Sequence, residues 1–306
     1  MDVNKFTTII TKPRYLLLFV LHRLSHLIKS DKLYYTWQYR LITGRKLDIN
    51  HPVGYNEKLQ WLKLYDRKPI YTIMVDKLAV KKFVAERIGE QYVVPLLGVW
   101  DKPGDIDYDS LPKRFVLKAT HGGGGLDVVI CKDKDKLDRA QVKQKLNRSL
   151  KTDYWRMREW PYKNVPRRII AEQYLEDNSG DLYDYKVMCF SGKPELIQVH
   201  RGRFTHQTQD IFDTNWNKMK ISQPGYPYTE DHINRPELLS KMLTLSSILA
   251  DGVPQIRVDW YMANGELFFG ELTFFDGAGF SFWEPEEWEL KLGDMIVLPT
   301  INANNE

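Results

Sequence analysis

The sequence predicts an α+β fold, because helical and strand-like segments alternate along its 306 residues without the regular repeat of a parallel sheet. The clearest strand signal is Asn264-Gly265, a dipeptide typical of tight β-hairpins, which stands between two apolar runs. Residues 1–70 show neither βαβ alternation nor a glycine fingerprint. We therefore expect a mainly helical N-terminal region over residues 1–70 and an α+β domain over residues 71–306.

Four helices follow from apolar periodicity and from the residues that end helices. The first covers residues 54–65, where apolar side chains recur at helical spacing. The other three are predicted over Asp76–Ile88, Leu137–Leu150 and Leu238–Leu249. A glycine follows the second and the fourth of the four helices, and glycine commonly ends a helix.

The composition is that of a globular protein from a reducing compartment. A chain that is 43% hydrophobic can bury a sizeable core, as one large domain or two smaller ones. Cys131 and Cys189 are too few for a disulfide framework, so we expect a cytoplasmic protein. The histidines show no zinc-ligand spacing, and a net charge of +4 neither requires nor excludes a polyanionic partner.

A β-prone run followed by four glycines is the first candidate binding motif. The run Phe115–Ala119 carries Lys118, whose ammonium group could meet a phosphate while glycine amides approach the same oxygens. It is not a Walker loop, because the lysine precedes the glycines. A flexible hairpin loop is the structural alternative. The four glycines are Gly122, Gly123, Gly124 and Gly125.

The Asn264-Gly265 hairpin is the second candidate motif. Arg257 and Asp259 share one face of its first strand, as Glu271 and Thr273 do on its second strand. Folding the hairpin brings the two carboxylates together beside a guanidinium group, which suits Mg²⁺ held against phosphate oxygens. An ordinary cross-strand charge cluster is the alternative.

Four blocks in the expected order, over roughly Asp76 to Phe280, resemble the ATP-grasp superfamily and its teichuronopeptide-biosynthesis-like (TupA-like) branch, which is associated with bacterial surface polysaccharides. They are Met74–Lys81, the Lys118 strand with its glycines, Ile169–Leu175 and the hairpin. The resemblance implies two α+β subdomains clasping ATP, with a lid subdomain at roughly residues 112–175. It also implies that the Rossmann-like domain common in the superfamily is reduced or replaced here.

The resemblance also implies roles for individual residues. Lys77, Lys118 and the four glycines would bind ATP phosphates, and Arg257 would stabilise the transferred phosphate. Adenine would be read by Glu172 and by main-chain groups around it, with Gln173 and Leu175 as the further candidates. Mg²⁺ would be held by Asp259, Glu271 and Thr273, where a hydroxyl stands in place of an amide frequent in the family. Lys186, on the strand that follows the Ile169–Leu175 block, could also reach the phosphates, and we take it as catalytic.

Two basic stretches are candidates for contact with an acceptor. Arg201 and Arg203 follow an apolar strand near the cleft, and arginine pairs well with the carboxylates of acidic sugars. The residues between Lys151 and Arg168 mix cations with aromatic rings, a pattern that also suits single-stranded nucleic acid. We expect the second stretch to be a solvated basic surface, and we expect no nucleic-acid partner.

The segment Lys12–Lys29 has an apolar centre between basic flanks. Its apolar run of seven residues is too short to span a bilayer, and no cleavage site of a secretory signal follows convincingly. Such a segment could lie on an anionic membrane at the inner face of the plasma membrane. Packing as a helix on the catalytic body is the favoured alternative.

The resemblance implies a carboxylate–amine ligase that uses Mg·ATP and forms an acyl phosphate. The carboxylate would be a uronic acid of an acidic saccharide or lipid-linked polysaccharide, and an amino acid or amine would be joined to it. Three alternatives stay open: a sugar kinase with the same ATP site, a glycosyltransferase, and a non-catalytic polysaccharide-binding protein. No convincing DxD motif supports the glycosyltransferase.

Overall fold

The computed structural model describes residues 13–123, 128–176, 182–202 and 206–300. Within these residues the chain forms eight α-helices and nine β-strands. Every ladder between these strands is antiparallel, so the predicted α+β class is confirmed.

The four predicted helices are all present, with small shifts of their bounds. The second predicted helix begins at Ala79 because the Asp76 carboxylate accepts hydrogen bonds from the N–H groups of Leu78 (2.8 Å) and Ala79 (3.3 Å). Lys77 therefore occupies the turn just before this helix. The helices are α1 Pro13–Arg23, α2 Asp31–Thr43, α3 Tyr55–Tyr65, α4 Ile70–Val75, α5 Ala79–Ile88, α6 Arg139–Lys151, α7 Leu239–Leu249 and α8 Trp288–Met295.

The strands form two separate sheets. The four-stranded sheet has the order β1-β4-β2-β3, and the five-stranded sheet has the order β7-β6-β5-β8-β9. The first sheet comprises β1 Leu96–Trp100, β2 Phe115–Ala119, β3 Val129–Cys131 and β4 Ile169–Gln173. The second comprises β5 Asp184–Phe190, β6 Lys193–Arg201, β7 Thr208–Asp213, β8 Gln255–Ala263 and β9 Glu266–Thr273.

The predicted hairpin is formed by β8 and β9. Asn264 (φ 53°) and Gly265 (φ 81°) both adopt left-handed backbone conformations, as a two-residue type I′ turn requires. The resulting register places Asp259 opposite Glu271. It also places Arg257 opposite Thr273, so the four polar side chains occupy neighbouring positions in the sheet.

Two hydrophobic cores support the two sheets. The larger core joins the N-terminal helices to the five-stranded sheet, and its members include Tyr34, Tyr35 and Trp260. The smaller core lies between the four-stranded sheet and α6, around Phe115 and Leu146. Helices α1–α3 thus share their core with the five-stranded sheet. The division at residue 70 and the lid limits of 112–175 stay predictions.

Arg158 ties the N-terminal helices to the segment that follows α6. This residue was expected on a solvated basic surface, but it is buried. Its guanidinium group lies 2.5 Å from Asp31 and donates to the carbonyl groups of Ser25 (2.7 Å) and Ile28. The Tyr35 hydroxyl in turn donates to the Arg158 carbonyl group at 2.7 Å. The Arg158 side chain therefore anchors the connection between α1 and α2 to a segment far away in the sequence.

We expect Arg158→Ala to lower the free energy of unfolding by about 3 kcal/mol, because it breaks a buried ion pair and removes the hydrogen bonds that Arg158 donates to the carbonyl groups of Ser25 and Ile28. Asp31 would keep its 2.7 Å pair with Arg67, which limits the loss. Urea unfolding followed by tryptophan fluorescence measures the change. The exposed Arg148 provides the control, and Arg148→Ala should stay within about 0.5 kcal/mol of the parent. Equal losses in both variants would contradict the structural role of Arg158.

Candidate active site

A cavity of about 540 Å³ lies between the segment after α6 and the open face of the five-stranded sheet. Its lining combines charged, amide and aromatic side chains, the mixture expected of a site for a polar ligand. The charged lining residues are Glu159, Asp184, Lys186, Arg257, Glu271 and Asp276.

Asp259 is the buried centre of the charged cluster. Register pairs it with Lys186 on the neighbouring strand β5, and the Lys186 ammonium group lies 2.5 Å from the Asp259 carboxylate. The same ammonium group lies 2.7 Å from Asp184. Arg257, two residues before Asp259 on β8, contacts the same carboxylate at 2.7 and 2.9 Å. The two predicted catalytic cations, Lys186 and Arg257, thus meet on one predicted metal ligand.

Arg257 links Asp259 to the rest of the cluster. Its guanidinium group donates to Asp276, contacts the Thr273 hydroxyl at 3.2 Å and lies 3.5 Å from Glu271. Although burial opposes the charge, Asp259 and Asp276 raise the pKa of Arg257 well above its usual value. Arg257 therefore stays cationic in a buried position.

Lys77 approaches this cluster from the turn before α5. The Lys77 N–H group donates to the Thr120 carbonyl group at 3.0 Å, which fixes the turn against the end of β2. Its ammonium group lies 3.6 Å from Glu271 and also donates to the Gly122 carbonyl group. Burial opposes ionisation of Glu271, but Lys77, and to a smaller extent Lys186 and Arg257, lower its pKa. Three predicted phosphate-binding cations therefore converge around one carboxylate.

The remaining predicted nucleotide-binding residues lie on the four-stranded sheet. Glu172 on β4 forms ion pairs with Lys118 on β2 (2.5 Å) and with Lys81 on α5 (2.6 Å). Burial alone would raise the pKa of Glu172, but the two ammonium groups hold it at about 2. Gln173 ends β4, with its N–H group bound to the Pro95 carbonyl group at 3.0 Å, and the half-buried Leu175 follows.

Some predicted site residues are not brought into the cavity. Gly123 lines it, whereas Gly124, Gly125 and Arg203 lie outside the described residues. Arg201 lies away from the cavity lining, and its guanidinium group contacts Thr229 (3.3 Å) and Asp231 (3.4 Å) over the ring of Tyr183. The roles assigned to all these residues stay predictions.

A hydrogen-bonded row of polar side chains that the sequence did not single out includes the cavity-lining residues His200 and Gln223. Gln209 lies 3.2 Å from the His200 ring and donates to Gln223 at 2.7 Å. Gln223 then reaches Asp276, a partner of Arg257, at 3.4 Å. Burial, then Lys186 and Arg257, lower the pKa of His200 to about 3, so its ring is neutral near pH 7. One sequence signal could have indicated these residues, namely the alternation of side chains along a strand. Because of it, Gln198 and His200 lie on the same side of the sheet as buried residues of β5.

Glu159 lies in the cavity lining near Tyr154 and Tyr162, and it is another residue that the sequence left unassigned. Burial raises the pKa of this carboxyl group, the nearby Lys63 lowers it, and Asp276 adds a smaller increase. Lys63 is itself buried on α3, where its ammonium group donates at 3.0 Å to both Gln60 and the Ala278 carbonyl group. No local motif marks Glu159, because its environment comes from α3 and from residues 276–280.

The charged cluster fits a Mg²⁺ ion that is shared with phosphate. Among the described residues, no three His, Cys, Asp or Glu side chains are close enough to hold a metal ion by themselves. Mg²⁺ is usually held by one or two carboxylates together with substrate phosphates. Asp259 and Glu271 lie opposite each other. Glu271 is partly exposed, whereas the buried Asp259 is bound by Lys186 and Arg257, so a Mg²⁺ ion held by both carboxylates would have to displace one of these cations. Together with Asp184 and Asp276, these two carboxylates outnumber the cations Lys77, Lys186 and Arg257 by one.

The ATP-grasp fold that the sequence predicted is confirmed by a family match. Residues 57–297 match the family model described as TupA-like ATPgrasp, and the chain belongs to this family. The members of the ATP-grasp superfamily are ATP-dependent ligases. The matched region contains the Lys77 turn, both sheets and the β8–β9 hairpin.

Several solved structures are similar at low sequence identity. A D-alanine–D-alanine ligase from Bacillus anthracis complexed with ATP is 19% identical, covers 73% of this chain and has a TM-score of 0.42. The corresponding ligase from Helicobacter pylori is 11% identical over 74% of this chain, with a TM-score of 0.41. This chain spans 65% and 62% of the lengths of those two proteins. A RimK domain protein from Sphaerobacter thermophilus is 11% identical, with 78% of this chain and 76% of that one covered and a TM-score of 0.43. A search of curated proteins found no match.

We expect His200 to make stability fall as the pH decreases below about 6.5, because the unfolded chain then binds a proton that the buried ring rejects. For one such group, the loss between pH 6.5 and 5.5 is about 1 kcal/mol. His200→Gln should abolish that part of the decrease, whereas the exposed His51→Gln should retain it. Urea unfolding at both pH values measures it, and identical pH dependence in all three proteins would rule out a buried neutral His200.

Proposed function

We propose that the protein is an ATP-dependent carboxylate–amine ligase that forms an acyl phosphate and releases ADP and phosphate. One observation carries the proposal. The lining of one cavity combines the cations Lys186 and Arg257 with amide side chains and aromatic rings. Phosphate transfer at the cations and binding of an uncharged part of the substrate can therefore occur in the same cavity.

The first step requires cations more than covalent chemistry. A carboxylate oxygen of the substrate bonds to the γ-phosphorus of ATP, the bond to the bridging oxygen breaks, and ADP leaves. Lys77, Lys186 and Arg257 are placed to neutralise the negative charge on the transferred group. A Mg²⁺ ion on Asp259 and Glu271 would supply further charge neutralisation by binding phosphate oxygens.

The second step requires a proton acceptor. The amine nitrogen bonds to the acyl carbon, the acyl–oxygen bond breaks to release phosphate, and the nitrogen loses a proton. Glu159 is the cavity carboxylate best suited to accept that proton, because burial raises its pKa and makes it a stronger base than an exposed carboxylate. Lys63 stabilises the ionised form that acts as the base.

The uncharged lining favours a sugar acid as the substrate. Side-chain amides donate and accept hydrogen bonds at once and so match the hydroxyl groups of a sugar, while aromatic faces pack on its CH groups. Gln198, Gln207 and Gln223 supply amides, and Phe280 and Phe282 supply rings. We propose a uronic acid of a bacterial surface polysaccharide, such as a capsular or teichuronic-type polymer, to which an amino acid or amine is joined. The buried free thiols of Cys131 and Cys189 agree with a cytoplasmic location.

Nucleotide turnover tests the proposed reaction. With Mg·ATP and a panel of uronic acids and amino acids, we expect ADP release only when both a carboxylate and an amine are present. Glu271→Gln should reduce this turnover by at least about a hundredfold, because it weakens the hold on both Mg²⁺ and Lys77. Glu266→Gln, an exposed position on the same strand, is the matched control and should keep full activity.

Two results would replace the proposed reaction with another one. ADP release with a sugar alone, together with a stable phosphorylated sugar, would identify a kinase. Absence of ATP binding in calorimetry would identify a non-catalytic binding protein.

For Glu159→Gln we expect a decrease in kcat of about a hundredfold or more for amide formation, because the amide side chain does not accept a proton. The parent enzyme should lose activity as the pH falls through the raised pKa of Glu159, since the protonated carboxyl group is no base. The variant should lack this pH-dependent decrease. Trapping with hydroxylamine separates the two steps: the variant should still form acyl phosphate at the parent rate. An unchanged pH profile would remove Glu159 from the mechanism.

A further inference from the structure

The first described helix exposes an apolar face to solvent. Six apolar side chains, on this helix and on the turn that follows it, are between 41% and 65% exposed. At 100° per residue, the exposed side chains from Leu16 to Leu24 fall within an arc of about 160° around the helix axis. Its opposite face packs on α2, where Leu21 joins the larger core. The exposed set, here called the α1 surface, is Leu16, Leu17, Phe19, Val20, Leu24 and Leu27.

Basic residues surround the α1 surface. The sequence from Val3 to Ser30 contains five Lys or Arg residues and no Asp or Glu. Since the whole chain has a net charge of +4, its positive excess is concentrated in this stretch. The next carboxylate, Asp31, is bound by both Arg158 and Arg67 and adds little negative potential. Arg14, Arg23 and Lys29 are the exposed cations beside the α1 surface.

The α1 surface is also fixed relative to the cavity. Arg158 binds the carbonyl groups of Ser25 and Ile28 just after α1, and the next residue is Glu159 in the cavity lining. A ligand or surface that binds α1 therefore lies at a fixed distance from the part of the cavity lining that contains Glu159.

We propose that the α1 surface docks on an anionic lipid membrane, with its apolar side chains among the acyl chains and its cations on the headgroups. An apolar helix face with flanking Lys and Arg has the chemistry of interfacial helices. The docking proposed here is peripheral. Among the described residues, no helix has both the length and the apolarity needed to cross a bilayer. A lipid-linked acceptor would thereby reach the cavity from the surface on which the protein sits.

Charge favours a membrane over a second copy of the chain. A two-fold interface places the same patch on both partners. Two α1 surfaces in contact would bring their cations together without a neighbouring carboxylate to compensate, which is unfavourable. Anionic headgroups supply the missing negative charge.

Vesicle sedimentation with the full chain tests the docking. We expect the partition coefficient to be at least about tenfold higher on vesicles with roughly one-third phosphatidylglycerol than on pure phosphatidylcholine, and to drop in about 0.5 M NaCl. The double variant L16S/F19S should lower binding to the anionic vesicles about tenfold. R14Q/R23Q should lower it by a similar factor while leaving the weak binding to neutral vesicles unchanged.

The matched control removes two exposed apolar side chains elsewhere. L290S/V297S, on and just after α8, should bind the anionic vesicles like the parent. Unchanged circular dichroism and unchanged ATP binding establish that each variant is folded, and they are independent of membrane contact. Equal partition of L16S/F19S and the parent would overturn the proposal. So would equal binding to neutral and anionic vesicles, or a concentration-dependent dimer in sedimentation velocity that L16S/F19S abolishes.

Discussion

The charge balance around Asp259 is the constraint on which the candidate site depends. This carboxylate is almost fully buried, and an isolated charge in such a position would be prohibitively unfavourable. Strand pairing resolves the problem by bringing Lys186 from β5 and Arg257 from its own strand onto the same two oxygens. The antiparallel register is therefore as much an electrostatic requirement as a hydrogen-bonding one. A shift of one residue would turn every one of these side chains to the other face.

The same balance prepares the cluster for a highly charged ligand. Cations and carboxylates in close contact hold each other in fixed positions, so the proposed binding of phosphates to the cations and of Mg²⁺ to the carboxylates would need little reorganisation. Glu271 is the member best placed for exchange, because it is a third exposed while Asp259 is closed off. Lys77 connects this exchange to the glycine run through the Gly122 carbonyl group.

The N-terminal helices are part of the same structural unit as the cavity. Lys63 on α3 lies under the loop at Ala278, and Arg158 fastens the α1–α2 connection beside Glu159. Both are buried cations held largely by carbonyl groups, which gives directional contacts between segments far apart in sequence. These contacts let a region with no strands of its own among the described residues shape one wall of the site.

The sequence by itself determined the α+β class, the β8–β9 hairpin and the pairing of Asp259 with Glu271. These features depend on local signals, namely period-two alternation and a dipeptide that tolerates left-handed backbone. The ATP-grasp assignment likewise rested on short motifs in a fixed order, and the family match confirmed it. Only the tertiary structure decided that Arg158 is buried, that Arg201 lies away from the cavity, and that Glu159, His200 and Asp276 line it. The physical reason is that burial and charge environment come from partners on other elements of the fold, 127 residues away for Arg158 and Asp31, and no local pattern encodes them.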